Sequence, residues 1–129
     1  MSTSVFPRVL FSQVRQDWRT PVDVLAGLEA EFRFTWDPCP NGGLGGLERS
    51  WAGERIYCNP PYRRGEIERW LAKAREAEIA VYLLPVRTTP RWWHDYALQA
   101  DEIRFFRKRL RFTGATTNAP FDSCLVVYR

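Results

Sequence analysis

Residues 55–64 read RIYCNPPYRR. Ile56 and Tyr57 belong to a short apolar run of the β-branched and aromatic kind that suits a strand. Pro60 and Pro61 then end it, because proline offers no N–H to a ladder and fixes φ. Asn59 precedes the pair, Tyr62 follows it, and Arg63 and Arg64 come at once. The strand therefore stops on a stiff turn that displays one carboxamide, one aromatic ring and two cations. A plain strand-ending turn is the alternative reading of the same residues.

Toward the C-terminus, GEIERWLAKAREAE (65–78) places Ile67, Trp70, Leu71 and Ala74 on one helical face, with charges opposite. IAVYLLPV (79–86) is a continuous apolar run, as expected of a strand buried on both faces of a parallel sheet. Thr89 and Pro90 open another helix, with Trp93, Tyr96, Ala97 and Ala100 on one side. EIRFFRKRLRF (102–112) and SCLVVYR (123–129) read as strands joined by the polar turn TGATTNAP (113–120). They form an expected antiparallel pair.

Toward the N-terminus, PCPNGGLGGLERSW (38–51) is a Pro/Gly loop, and FRFTWD (32–37) alternates like a strand ending at Asp37. WRTPVDV (18–24) signals a helix start, with Thr20 as cap, Pro21 in the first position and Asp23 in the first turn. Val24, Leu25, Leu28 and Phe32 carry an apolar stripe, which predicts a helix to about Glu31. Residues 1–16 show weak periodicity and read as an arm. Residues 17–129 read as one folded domain.

Helices and strands alternate with short connections. The expected fold is an α/β layered domain with a mostly parallel sheet, helices on its faces and a C-terminal antiparallel strand pair. In such sheets ligands lie outside the carboxyl ends of the strands. DPCP (37–40), NPPY (59–62) and PVRTT (85–89) each follow directly on a predicted strand. Three loops are thus expected to converge on one crevice.

The composition is that of a folded chain: 129 residues, 45% apolar and 26% charged. The net charge of +4 favours a polyanionic partner, and Arg104, Arg107, Lys108, Arg109 and Arg111 crowd into one segment. That segment also reads as a strand edge protected by charge. Cys39, Cys58 and Cys124, with the single His94, have no metal-ligand spacing, so free thiols in a reducing compartment and no metal are expected. No apolar run is long enough to span a bilayer, which predicts a cytoplasmic protein without a membrane partner.

A planar exocyclic amine such as N6 of adenine delocalises its lone pair into the ring. Two acceptors that bind both of its protons favour a tetrahedral nitrogen whose lone pair can attack a methyl group. The Asn59 side chain supplies one acceptor and the Pro60 carbonyl the other, while Pro61 stiffens the loop. Tyr62 offers an aromatic face for a base. Orientation and electrostatics carry such chemistry without a strong base.

CNPPY (58–62) resembles the catalytic motif of amino-group methyltransferases, above all the N6-adenine DNA enzymes. The order WRTP (18–21), DPC (37–39), GLERSW (46–51), NPPY (59–62), LPVRTTPRWWH (84–94), KRLRF (108–112) and APFDS (119–123) is similar to the small phage-type DNA N6-adenine methyltransferases. The resemblance covers residues 17–129. It implies a truncated Rossmann-like methyltransferase domain that uses S-adenosylmethionine, takes DNA as partner, and works in a bacterial host cytoplasm. By the same resemblance Trp18, Thr20, Pro21, Asp37, Pro38 and Cys39 bind the cofactor. Asn59, Pro60, Pro61 and Tyr62 hold a flipped adenine, and Arg87 and Thr88 reach the same crevice. Arg107, Lys108, Arg109 and Arg111 are the expected phosphate contacts, and a homodimer would widen the footprint on DNA.

Two features depart from the family pattern. The loop after Asp37 is PCPNGGLGG rather than a regular glycine fingerprint, and only 21 residues separate Asp37 from Asn59. A full methyltransferase sheet places two more strands there, one ending in an acid for the ribose hydroxyls. Either Glu48 or Glu54 takes that part, or cofactor binding leans on Trp18 and Trp51. Asp37 also reads as a cap for its own loop. Trp92 and Trp93 read as packing, His94 as a surface or supporting residue, and Cys58 as packing. Competing activities are amino-group transfer to cytosine N4, RNA or a protein amide, and a degenerate domain that only binds nucleic acid.

Overall fold

The computed structural model describes residues 19–40 and 45–129. The apolar run at 79–86 forms the strand on which the rest is assembled, β2 (Ile79–Pro85). Its neighbours are β1 (Arg55–Cys58) and β4 (Ser123–Tyr128), and β3 (Glu102–Phe105) closes the far edge in the order β1-β2-β4-β3. β1 pairs with β2 in parallel from Arg55↔Ile79 to Cys58↔Tyr82. β4 is antiparallel to β2 and to β3.

The sheet is therefore not mostly parallel by pairing, as the alternation had predicted: it holds one parallel and two antiparallel pairs. Its direction still follows the α/β logic. β4 opposes both of its neighbours, so β3 runs the same way as β1 and β2, and β4 alone is reversed. The predicted terminal antiparallel pair is present as β3 and β4.

Two predicted strands are shorter than expected. FRFTWD makes one parallel bridge, Trp36↔Ile56, beside β1. The segment 102–112 pairs only through Phe105, after which the chain leaves the sheet. The reason is visible at 106–122. This loop folds back over one face, with Ala119 N–H donating to Leu110 O at 2.7 Å and Phe112 buried. The apolar residues of the predicted strand end serve packing rather than a ladder.

Side chains alternate along the strands, so the sheet buries two faces. Tyr57, Val81, Leu83, Leu125 and Val127 meet helix α1 (Val22–Phe32) through Leu25, Leu28 and Phe32. Ile56, Cys58, Ala80, Tyr82, Leu84, Cys124 and Val126 meet α2 (Ile67–Leu71) and α3 (Arg91–Asp95). Helices cover both faces, as predicted. The helical stretch at 65–78 is broken into α2 and a 3-10 turn at Ala74–Glu76, and α3 is followed by another at Ala97–Gln99.

Trp51 is fully buried against Trp36, Trp70 and Tyr82, with ring centroids 6.3 to 6.4 Å apart. Its indole N–H donates to Gly46 O at 2.9 Å. Gly46 itself lies on Pro38: a Cβ there would fall 2.0 Å from Pro38 O. Only glycine permits that approach.

Candidate active site

The carboxyl ends of β1 and β2 lie at one edge of the sheet. The pairings Pro85↔Ser123 and Phe105↔Cys124 add the start of β4 and the end of β3 to the same edge. Asn59, Arg87, the basic run 107–111 and Phe121 are therefore gathered there. The Trp36↔Ile56 bridge, reinforced by Tyr57 N–H donating to Trp36 O at 3.3 Å, brings Asp37 level with the end of β1.

Tyr57 and Asn59 are two residues apart at the end of a strand, so both face α1. The chain entering α1 meets them. Asn59 Nδ2 donates to Thr20 Oγ1 at 3.2 Å, and Thr20 Oγ1 shares a short hydrogen bond with the Tyr57 hydroxyl. The expected cap at Thr20 is consequently not formed. Pro21, with ψ 140, occupies the N-cap position without a side-chain bond. Thr20 is buried, and its backbone is fixed by Thr113, whose Oγ1 donates to Thr20 O at 2.9 Å.

Asp37 is 5% exposed. Its Oδ1 accepts the Cys39 N–H at 2.8 Å, so it does close its own loop. Burial pushes its carboxyl up to about 7, opposed by that single bond. No cationic side chain among the described residues offsets its charge in that balance. A buried carboxyl lacking a cation suits a ligand that brings an ammonium group or paired hydroxyls. Both occur in S-adenosylmethionine, so this acceptor fits the cofactor that the family resemblance implies.

Pro60 is buried and Pro61 half-buried in the turn. The Tyr62 hydroxyl donates to Leu83 O at 3.1 Å, and its ring stands edge-on to Phe121 with centroids 5.8 Å apart. The guanidinium of Arg87 lies 5.9 Å from the Phe121 ring. Thr88 is exposed, and its carbonyl bonds His94 Nε2 at 2.7 Å. Arg107, Lys108, Arg109 and Arg111 are all exposed, and Arg109 meets Asp122 at 3.3 Å. Arg104, from the same basic cluster, belongs elsewhere: it forks onto Glu31 at 2.6 and 2.7 Å.

The edge thus brings together Thr20, Pro21, Asp37, Asn59, Pro60, Tyr62, Arg87 and the basic run. Pro38 and Cys39 are buried in the loop after Asp37. Trp18, the arm at 1–16 and loop residues 41–44 lie outside the described residues. Two alternatives for the missing acid and the cofactor surface need correction. Glu54 precedes β1 at the opposite end of the strand and bonds Thr35 and Arg49. Trp51 is a core residue and offers no ligand surface. Trp92 and Trp93 are buried as a T-shaped pair, which matches the packing reading. Sequence reasoning missed Tyr57, which it took as an apolar strand residue. The available signal was its spacing of two from Asn59.

Among the described residues no group of three His, Cys, Asp or Glu side chains is arranged to hold a metal, and no helix is long and apolar enough to cross a membrane. No curated protein and no solved structure matches the chain. The family model for DNA N-6-adenine-methyltransferase (Dam) matches residues 44–126. That span runs from the glycine loop through the turn at Asn59 and the basic segment to β4, well over half of the sequence. On this match the chain belongs to the DNA N-6-adenine-methyltransferase (Dam) family.

Proposed function

We propose that the chain transfers a methyl group from S-adenosylmethionine to N6 of an adenine that has left the DNA duplex, at the turn Asn59–Tyr62. Residues 17–129 form the catalytic domain, a truncated Rossmann-like sheet. The observation that carries this reading is the Asn59 carboxamide, held at the carboxyl edge with its nitrogen bonded to Thr20 at 3.2 Å. That bond turns the amide oxygen away from Thr20.

When bound, the cofactor supplies a methyl group activated on a sulfonium. The chain does the rest. Asn59 Oδ1 and the Pro60 carbonyl accept the two N6 protons and concentrate the nitrogen lone pair. With the cofactor held at Asp37, its methyl group would pass to that lone pair, its sulfur would leave as a neutral thioether, and one N6 proton would go to solvent. Tyr62, tied to Leu83 and wedged by Phe121, presents its ring to the extruded base. Asp37 accepts from polar groups of the cofactor. Arg87, Arg107, Lys108, Arg109 and Arg111 contact phosphates and hold the duplex around the gap.

Within residues 17–129 little surface is left over to read flanking bases. Selectivity is therefore expected to be low or to come from a homodimer on a palindromic site. The test is incubation with S-adenosylmethionine and duplex DNA, followed by digestion to nucleosides. N6-methyladenine is the expected product. Methylcytosine, methylation of RNA alone, or no product would replace this reading with one of its competitors.

A further inference from the structure

The Asn59 carboxamide works only in one of its two orientations. With the oxygen toward the target amine it accepts a proton; flipped, it opposes one N–H donor with another. The electronic difference between the two ends is invisible to packing, because oxygen and nitrogen have nearly the same size. Something with hydrogen-bond polarity must choose.

Thr20 Oγ1 touches Asn59 Nδ2 at 3.2 Å and the Tyr57 hydroxyl by a short bond. A hydroxyl has one proton and two lone pairs. If that proton goes to Tyr57, none remains for Asn59, and a flipped carboxamide would set oxygen against oxygen. If the proton were available to Asn59, either orientation would be satisfied. We infer that Thr20 and Tyr57 are positioning residues for Asn59: the Tyr57 hydroxyl holds the Thr20 hydroxyl in place, and the Thr20 oxygen accepts from the Asn59 amide nitrogen and so turns the amide oxygen toward the target amine.

The surroundings hold these groups in place. Thr20 is held by its backbone as well as its side chain, through Thr113 Oγ1 to Thr20 O at 2.9 Å and Thr113 N–H to Arg19 O at 3.0 Å. Tyr57 is 1% exposed, with its ring packed on Phe34 at 5.4 Å, so its hydroxyl cannot swing away. Burial also pushes its phenol well above the usual range, which keeps it a neutral hydroxyl. The inference rests on the methyltransferase reading and adds two residues that act through Asn59 rather than on the base.

The test uses the full chain with S-adenosylmethionine and duplex DNA. It compares wild type with Tyr57→Phe, Thr20→Val and Thr20→Ser, and measures kcat, KM for DNA and the Kd of the demethylated cofactor. The expected result is a fall in kcat of about tenfold in Tyr57→Phe and Thr20→Val. KM for DNA should stay within about twofold, and cofactor Kd likewise in Tyr57→Phe, with kcat near wild type in the conservative Thr20→Ser. Thr20→Ser keeps the proton and both lone pairs, so it separates hydroxyl chemistry from folding. A kcat within about twofold of wild type in both Tyr57→Phe and Thr20→Val overturns the inference. So does an effect confined to cofactor Kd, or a Thr20→Ser variant as impaired as Thr20→Val. Failure of the underlying reading looks different: the wild type itself then yields no methylated base, and the inference falls with it.

Discussion

The two ends of the sheet carry the same kinds of residue and use them differently. At the amino end each of five arginines has an acid. Arg49 meets Glu54 at 2.8 Å, Arg55 meets Glu78 at 2.7 Å, Arg75 meets Asp101 at 2.9 Å, Arg129 meets Glu102 at 2.9 Å, and Arg104 bridges Glu31 and Glu102 at 2.6 Å. At the carboxyl end Arg87, Arg107, Lys108 and Arg111 stand exposed, while Arg63 meets Glu66 at 2.6 Å and Arg109 meets Asp122 at 3.3 Å. The basic run at 107–111 thus adds a cluster of exposed cations to the edge where the motif loops meet. Fields of this kind raise encounter rates with polyanions. Compensated pairs at the other end do not.

The contrast predicts that the carboxyl end governs activity and the amino end only stability. The largest effect is expected from Asn59→Ala, which on the proposed reading removes an acceptor for the target amine. Methyl transfer should fall about a hundredfold or more with an unchanged melting temperature. A near-normal rate would make the turn a structural element and erase the functional side of the comparison.

Next comes the basic run. Replacing Arg107, Lys108, Arg109 and Arg111 together by alanine should lower the salt slope of DNA binding by roughly one unit for each phosphate no longer neutralised. The matched control, Arg49, Arg55 and Arg75 to alanine, should leave the slope unchanged. Equal slopes in both variants would show that charge placement is irrelevant to DNA.

Asp37 sharpens the comparison through pH. Its carboxyl is raised in the folded chain to about 7, against an ordinary value near 3.8. The folded state therefore holds a proton that the unfolded state has released, and stability declines as pH rises from about 4 to about 7, levelling above that. Between about pH 6 and pH 8 the decline is about 1.4 kcal/mol. Denaturant titrations at the two pH values should show it, and Asp37→Asn should abolish it. A pH-independent wild type would place Asp37 in a wetter setting than its burial implies.

The smallest effect belongs to the amino end itself. Arg49→Ala, at an exposed pair, should change stability by less than about 1 kcal/mol and leave methyl transfer intact. A larger effect would mean that these ion pairs act as a network.

Much of this layout was legible in the sequence, and the limits are instructive. The run at 79–86 declared a strand buried on both faces because its consecutive side chains lack charge, and β2 is buried in that way. Asn59 and Asp37 were found because proline and glycine punctuate the chain wherever a strand ends. The helix at 22–32 followed from its stripe, but its cap did not. Thr20 has the right chemistry to cap, yet two hydroxyl and amide partners from the end of β1 draw its side chain away. Trp51 was misjudged because an indole suits a ligand surface and a core equally well. Its fate was decided by Trp36, Trp70 and Tyr82, which arrive from other segments.

By itself, then, the sequence determined the order of motifs, the strand-end position of the Asn59–Tyr62 turn and the two-faced burial of the sheet. These follow from side-chain periodicity and from the backbone limits of proline, which act over a few residues. Tertiary structure alone decided that β4 inserts in reverse between β2 and β3, that Arg104 leaves the basic run to pair with Glu31, and that Tyr57, Thr20 and Asn59 share one hydrogen-bonded chain. Backbone N–H and C=O groups accept parallel and antiparallel partners alike, so periodicity carries no record of a strand's neighbour or direction. A bond between residues 20 and 59 exists only once the register of α1 against β1 has been set by packing.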